Sequence, residues 1–253
     1  MSNWGELNQY IQRGNADGRI VVIGDVHGCL HTLTHLIWKL NLDINKDTLV
    51  FLGDYIDRGM SPCETVRFIR NLQRSFPKGK CVCLRGNHEQ FMIDTEGQYD
   101  HLWDINGGFT TRNSYEREGV DPTSDIMWMD NLPLIYETDE YVFCHAGLPH
   151  ANLMDNHPDD ILWDRQWLKR PLPERNKMVV FGHTPNRDGA RVLDNGDLCI
   201  DGGCVYGGKL IAAILDEDDI AIVEEPIHEK DMEGNMYCAT IRRYAEKIEL
   251  SDK

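Results

Sequence analysis

Short apolar runs rich in β-branched residues recur along the chain at Arg19–Ile23, Thr48–Leu52, Lys80–Leu84, Tyr141–Cys144, Met178–Phe181, Leu198–Ile200, Leu210–Leu215 and Ile220–Val223. Each is too short for a helix and is bounded by polar or glycine-containing turns, which predicts buried strands. Between the first two runs, Leu33, Leu36, Ile37 and Leu40 fall at helical spacing within Leu30–Leu40. After the second, Pro62 opens a segment in which Val66, Phe68, Ile69 and Leu72 do likewise. Proline suits a first helical turn, where its missing N–H would have had no partner. A strand-helix-strand-helix opening predicts a layered α/β architecture with ligands in the loops past the carboxyl ends of the strands.

The last two runs predict a hairpin through Asp216-Glu217-Asp218-Asp219, because a polar turn joins two apolar segments. From Pro226 onward the chain is polar, then weakly helical over residues 241–248, with no role evident. Asp94 to Met129 is expected to supply loops that shape a substrate groove. Internal repeats are absent, and 253 residues suffice for one domain spanning 1–253, with a core at about 19–225 and an extension at 226–253.

Composition narrows the partners. A hydrophobic fraction of 41% predicts a folded globule rather than a disordered chain. A formal charge of -16 argues against nucleic acid or an anionic membrane as a bulk partner, while a local positive site can still bind one phosphate. No run reaches the roughly 20 apolar residues of a membrane span, and the opening Met1-Ser2-Asn3-Trp4-Gly5-Glu6 lacks the blocks of a signal peptide, so a cytoplasmic location is expected. The eight cysteines never form a C-x-x-C pair and read as reduced core thiols, with Cys81 and Cys83 on one face of a strand.

Five polar clusters follow strand candidates: Gly24-Asp25-Val26-His27-Gly28, Gly53-Asp54-Tyr55-Ile56-Asp57-Arg58-Gly59, Gly86-Asn87-His88-Glu89, His145-Ala146-Gly147 and Gly182-His183-Thr184-Pro185. Any one of these histidines or carboxylates alone reads as an ordinary loop residue. Together they gather Asp, Asn and His, which hard and borderline divalent ions favour, at one sheet edge, and a binuclear metal site is expected.

The same clusters resemble the phosphoprotein phosphatase branch of the metallophosphatase superfamily, with its G-D-x-H-G, G-D-x-x-D-R-G and G-N-H-E motifs, from about Gly24 to Gly208. Arg85–Gln90, Asn106-Gly107-Gly108, Trp163-Asp164-Arg165 and Phe181–Pro185 further resemble the lambda-phage type within that branch. The resemblance implies a calcineurin-like metallophosphatase fold, a layered β-sandwich flanked by helices. It makes Asp25 and His27 ligands of one divalent ion, Asn87, His145 and His183 ligands of a second, and Asp54 the bridge. Manganese is the ion it favours, with iron and zinc also suited to the donor set. Two ions roughly 3.5–4 Å apart would lower the pKa of a bridging water and clamp the entering and leaving oxygens of an in-line displacement.

By the same resemblance His88 is the general acid that protonates the leaving alkoxide, and Asp57 orients it and favours its imidazolium form. Arg58 and Arg165 are expected on the phosphoryl oxygens, where a guanidinium fork matches the developing charge. A surface ion pair is the plainer alternative for Arg165, and an ordinary turn for Asn106-Gly107. His31, His35, His101, His150, His157 and His228 read as surface or packing residues. His145-Ala146-Gly147 stands where eukaryotic relatives usually have His-Gly-Gly, and their long tyrosine-bearing loop is not evident, so no regulatory subunit is implied.

The function so implied is hydrolysis of phosphate monoesters by a serine/threonine, or dual-specificity, protein phosphatase acting on a phosphoprotein or phosphopeptide. A symmetrical bis(5'-nucleosyl)-tetraphosphatase is the alternative; it typically carries G-N-H-D, so Glu89 tilts the balance toward the phosphatase. A phosphodiesterase or nuclease of the wider superfamily would usually close with G-H-x-H, which Gly182-His183-Thr184-Pro185 does not. A non-catalytic phosphate sensor would retain binding without turnover.

Overall fold

The computed structural model describes residues 4–15, 18–216 and 219–238. Its strands are β1 (Ile11–Arg13), β2 (Ile20–Ile23), β3 (Thr48–Phe51), β4 (Cys81–Cys83), β5 (Ile135–Glu137), β6 (Tyr141–Cys144), β7 (Met178–Phe181), β8 (Arg191–Val192), β9 (Leu198–Cys199), β10 (Lys209–Asp216) and β11 (Asp219–Pro226). One sheet runs β11-β10-β2-β3-β4 and the other β1-β5-β6-β7-β9-β8. β2, β3 and β4 are parallel, as are β6, β7 and β9, so each sheet presents three carboxyl ends to one side. β10 and β11 pair antiparallel with Asp216 opposite Asp219, which is the expected hairpin; its residues 217 and 218 lie outside the described set.

Side-chain alternation sorts the core. Val22, Val50, Val82 and Ala213 of one sheet meet Phe143, Val180 and Leu198 of the other between the sheets. Their neighbours Val21, Ile23, Leu49, Phe51, Cys81 and Cys83 turn to the opposite face and pack on helices α1 (Leu30–Leu40) and α2 (Pro62–Ser75). Because strand side chains alternate, each face of the first sheet receives its own apolar set, and Cys81 and Cys83 share one as expected. All eight cysteines are free and buried.

Between β4 and β5 the structure corrects the expected loops. Residues 87–130 form α3 (Asn87–Asp94), α4 (His101–Ile105), α5 (Gly108–Glu118) and α6 (Thr123–Asp130). These helices are short and weakly amphipathic, which hid them from a periodicity argument. Local caps hold them instead: Asp100 accepts from the Trp103 amide at 2.9 Å, and Gly119 closes α5 in a left-handed conformation.

Helix α1 carries no cap of its own, since its N-cap is Cys29. Asp231, in the short helix α8 (Glu229–Met232), caps it from 200 residues away and takes the amides of His31 at 3.2 Å and Thr32 at 2.7 Å. The remaining helix, α7 (Pro158–Trp163), packs Ile161 and Leu162 on the outer face of the second sheet. The segment expected to be weakly helical at 241–248 lies outside the described residues.

Candidate metal centre

The three parallel carboxyl ends of the first sheet deliver Asp25 and His27, Asp54, and Asn87; those of the second deliver His145 and His183. Asp54, His145 and His183 form one buried group whose ligand atoms all lie within 4.8 Å, and His27, Asp54 and His88 form another. Asp54 is common to both, with its two oxygens divided: Oδ1 lies 3.4 Å from His145 Nε2, and Oδ2 lies 3.3 Å from His27 Nε2. His145 Nε2 also sits 2.9 Å from Asn87 Oδ1 and 3.0 Å from His183 Nδ1. Two donor atoms bound to one ion at about 2.1 Å and at right angles lie about 3 Å apart, so these spacings suit a shared cation.

Imidazole orientation fits the same use. A carbonyl oxygen can only accept, so the contacts of His27 Nδ1 to Ile56 O at 2.8 Å and His145 Nδ1 to Leu52 O at 2.9 Å place a proton on Nδ1, and in the neutral ring that a cation would bind Nε2 carries the lone pair. His183 is reversed, with Nε2 3.3 Å from the Trp163 carbonyl and Nδ1 facing the cluster. Backbone strain gathers here too, since His27, Asp54, Asp57, Arg58 and His183 all have positive φ.

Asp25 belongs to neither tight group. Both its oxygens receive the His183 amide at 3.1 Å, and a Cβ on Gly182 would collide with one of them. Burial, then the neighbouring carboxylate of Asp201, pushes Asp25 well above the usual range. For Asp54 burial acts the same way, but His145, His88 and His27 outweigh it and hold the carboxyl well below its ordinary value. Three buried carboxylates so close together are a natural place for cations.

His88 differs from the other imidazoles in its partner. Its Nδ1 meets a carboxylate, Asp57 Oδ2, at 2.6 Å, and its Nε2 faces Asp54 Oδ2 at 3.9 Å. Asp57 is fixed in turn by Trp103 Nε1 at 2.8 Å and by the Thr111 hydroxyl at 2.5 Å. Asp57 was expected to favour the imidazolium, yet in the polypeptide alone burial and then Arg58 hold His88 well below its ordinary value. Burial also raises Asp57 to about 7, so the pair favours fewer charges than the expectation assumed.

Both arginines reach the cluster. Arg58 Nη1 donates to His27 Nε2 at 2.6 Å. Arg165 donates to the His183 carbonyl through Nε at 3.1 Å and Nη2 at 2.7 Å, and it forms no ion pair among the described residues. Gly107 lies against Arg58, where an added Cβ would come within 2.7 Å of its Cγ, so the Asn106-Gly107 turn is part of this wall.

Four contributing residues were missed. Glu89 is fully buried and accepts from the amides of Gly86 at 2.9 Å and of Asp54 and Tyr55 at 2.8 Å each, tying two metal-site loops together. It faces backbone rather than open space, so a Glu/Asp difference there is a weak guide to substrate. Trp103 and Thr111 hold Asp57. Asp201 follows β9 in Ile200-Asp201-Gly202, the same strand-Asp-Gly grammar that marked the other clusters and could have found it.

A family model for calcineurin-like phosphoesterases matches residues 18–223, and the chain belongs to that family. It is a hydrolase of the metallophosphoesterase kind, whose His/Asp clusters fit a dinuclear divalent metal centre. The chain is 32% identical over 220 residues to serine/threonine-protein phosphatase 1 of Salmonella typhimurium, covering 82% of this chain and 96% of that one. It is 24% identical over 268 residues to the symmetrical bis(5'-nucleosyl)-tetraphosphatase of Vibrio campbellii, covering 75% and 92%. Among solved structures it resembles a putative diadenosine tetraphosphatase, with a TM-score of 0.64 and 22% identity, over 85% of this chain and 97% of that one. No helix among the described residues is long and apolar enough to cross a membrane.

Proposed function

We propose that the chain is a serine/threonine protein phosphatase, of the lambda-phage type within its family, that hydrolyses phosphate monoesters of phosphoproteins. The observation that carries this reading is the partner of His88. The three imidazoles assigned as ligands give their outward nitrogens to backbone carbonyls, whereas His88 gives its own to the Asp57 carboxylate. A ligand needs a fixed lone pair; a proton donor gains from a carboxylate behind it that orients the ring and can share its proton.

Asp25 and His27 would hold one divalent ion, Asn87, His145 and His183 the other, and Asp54 both. Such ions supply an activated water and neutralise phosphoryl charge when bound. His88 Nε2 then protonates the leaving serine or threonine oxygen while Asp57, Trp103 and Thr111 fix the ring. Arg58 and Arg165 orient the phosphoryl group, and manganese is the proposed ion.

The named similarity to symmetrical tetraphosphatases favours one second reading, hydrolysis of a dinucleoside polyphosphate. The deciding experiment strips the protein with chelator, reloads it with Mn2+, Fe2+ or Zn2+, and compares phosphoserine and phosphothreonine peptides with diadenosine tetraphosphate. A kcat/KM at least tenfold higher on the peptides supports the phosphatase; the reverse order replaces it with the tetraphosphatase.

A further inference from the structure

Arg58 is held by only a few contacts. Its guanidinium meets the His27 Nε2 lone pair and lies 5.4 Å above the Tyr206 ring, while its amide reaches Gly107 O at 3.4 Å. An ion bound at His27 Nε2 would take that lone pair from Arg58. The ring face would then be a side-chain contact, among the described residues, that still keeps the charge beside the site.

Tyr206 itself is buttressed from the end of the described chain. Tyr237 packs edge-on against it, with ring centroids 6.0 Å apart and planes at 78°. The segment bearing Tyr237 is pinned at several points. Ile227 N donates to Gly208 O at 3.1 Å, and His228 N donates to the Thr32 hydroxyl at 2.9 Å. Asp231 then accepts from Thr32 and His31 as the cap of α1. Asn235, itself buried, donates to Val205 O at 3.1 Å and accepts the Tyr237 amide at 3.0 Å, so one side chain joins the segment to the residue preceding Tyr206.

We propose that residues 227–238 form a brace that fixes Arg58 for phosphoryl binding, with Tyr206 and Tyr237 as its positioning residues. Edge-to-face packing restrains the Tyr206 ring, and the negative face of that ring restrains the guanidinium. This gives residues 227–238, just past the β10–β11 hairpin, a part in the site, although none of them is among the proposed ligands. The inference rests on the phosphoryl-binding role proposed for Arg58.

The test uses full-length, Mn2+-loaded protein, with inorganic phosphate binding measured by titration calorimetry and p-nitrophenyl phosphate hydrolysis measured beside it. Tyr206→Leu is expected to weaken phosphate binding about 3- to 30-fold and to raise KM in step, whereas Tyr206→Phe, which keeps the ring face, stays within about twofold. Tyr237→Ala should weaken phosphate about threefold in the wild-type background and have no further effect once Arg58→Ala is present. Equal damage from Tyr206→Phe and Tyr206→Leu would overturn the brace. So would an effect of Tyr237→Ala that is the same with or without Arg58, or a lowered melting temperature with phosphate affinity unchanged. A protein that binds phosphate in this Arg58-dependent way yet hydrolyses nothing would remove the proposed activity and leave the brace supported.

Discussion

Replacing Glu89 by glutamine keeps the shape of the side chain and changes only what it can accept. In the native arrangement Oε2 takes the amides of Gly86 and Asp54, and Oε1 takes that of Tyr55 with Ile56 at 3.4 Å. Glutamine offers one acceptor oxygen. Turned to keep the Gly86 and Asp54 bonds, it points an NH2 at the Tyr55 and Ile56 N–H groups, so both lose their acceptor, the 2.8 Å bond of Tyr55 being the stronger of the two. The lost Tyr55 bond was charge-assisted, worth about 1.5–3 kcal/mol, and the two retained bonds weaken as the acceptor becomes neutral. Removing a buried carboxylate returns part of that, because burial already pushes Glu89 up to about 7. A net loss of about 2 kcal/mol is expected, or roughly 4–8 °C in Tm for a chain of this size. The loops affected carry Asp54 and Asn87, so calorimetric Mn2+ affinity should fall as well. A Glu89→Gln protein with wild-type Tm and wild-type Mn2+ affinity would refute the loop-tying role.

Four further outcomes are expected. His88→Asn should retain bound manganese while losing about 100-fold or more in turnover on a phosphoserine peptide and far less on p-nitrophenyl phosphate; equal losses would take His88 out of the acid role. Chelation should lower Tm and readdition of Mn2+ restore it, by about 2.7 kcal/mol when the ion is at a hundredfold excess over Kd; an unchanged Tm would count against a structural load on the site. Gly107→Ala, forced to carry a Cβ at φ +106 and 2.7 Å from Arg58 Cγ, should raise KM more than it lowers kcat, and a normal KM would contradict the wall described for Arg58. Asp231→Ala removes the cap of α1 and should cost about 1–2 kcal/mol, or roughly 3–6 °C in scanning calorimetry; no shift would mean that water replaces the cap.

Strand runs were legible because a buried strand needs only a few consecutive apolar residues, and Thr48–Phe51 or Met178–Phe181 supply them directly. β1, β5 and β8 were not, since two or three residues in each carry no periodicity and owe their pairing to neighbours, as Ile11 does to Ile135. The ligand-bearing loops were legible from residue type beside glycine. Their supports were not: Trp103 and Thr111 reach Asp57 across 46 and 54 residues, and Asp231 reaches Thr32 across 199. Hydrogen bonds of that range leave no local pattern. Glu89 stood in plain view within its motif, yet its carboxylate serves main-chain amides that come together only in the folded chain.

The outward ring nitrogens of His27, His145 and His183 are anchored to peptide oxygens at Ile56, Leu52 and Trp163. Their aim is therefore set by sheet and turn rather than by whatever ion arrives. A pocket prepared in this way should charge quickly and exchange its occupants without unfolding, so that the supply of cations in the surroundings, more than any refolding step, governs which element it carries.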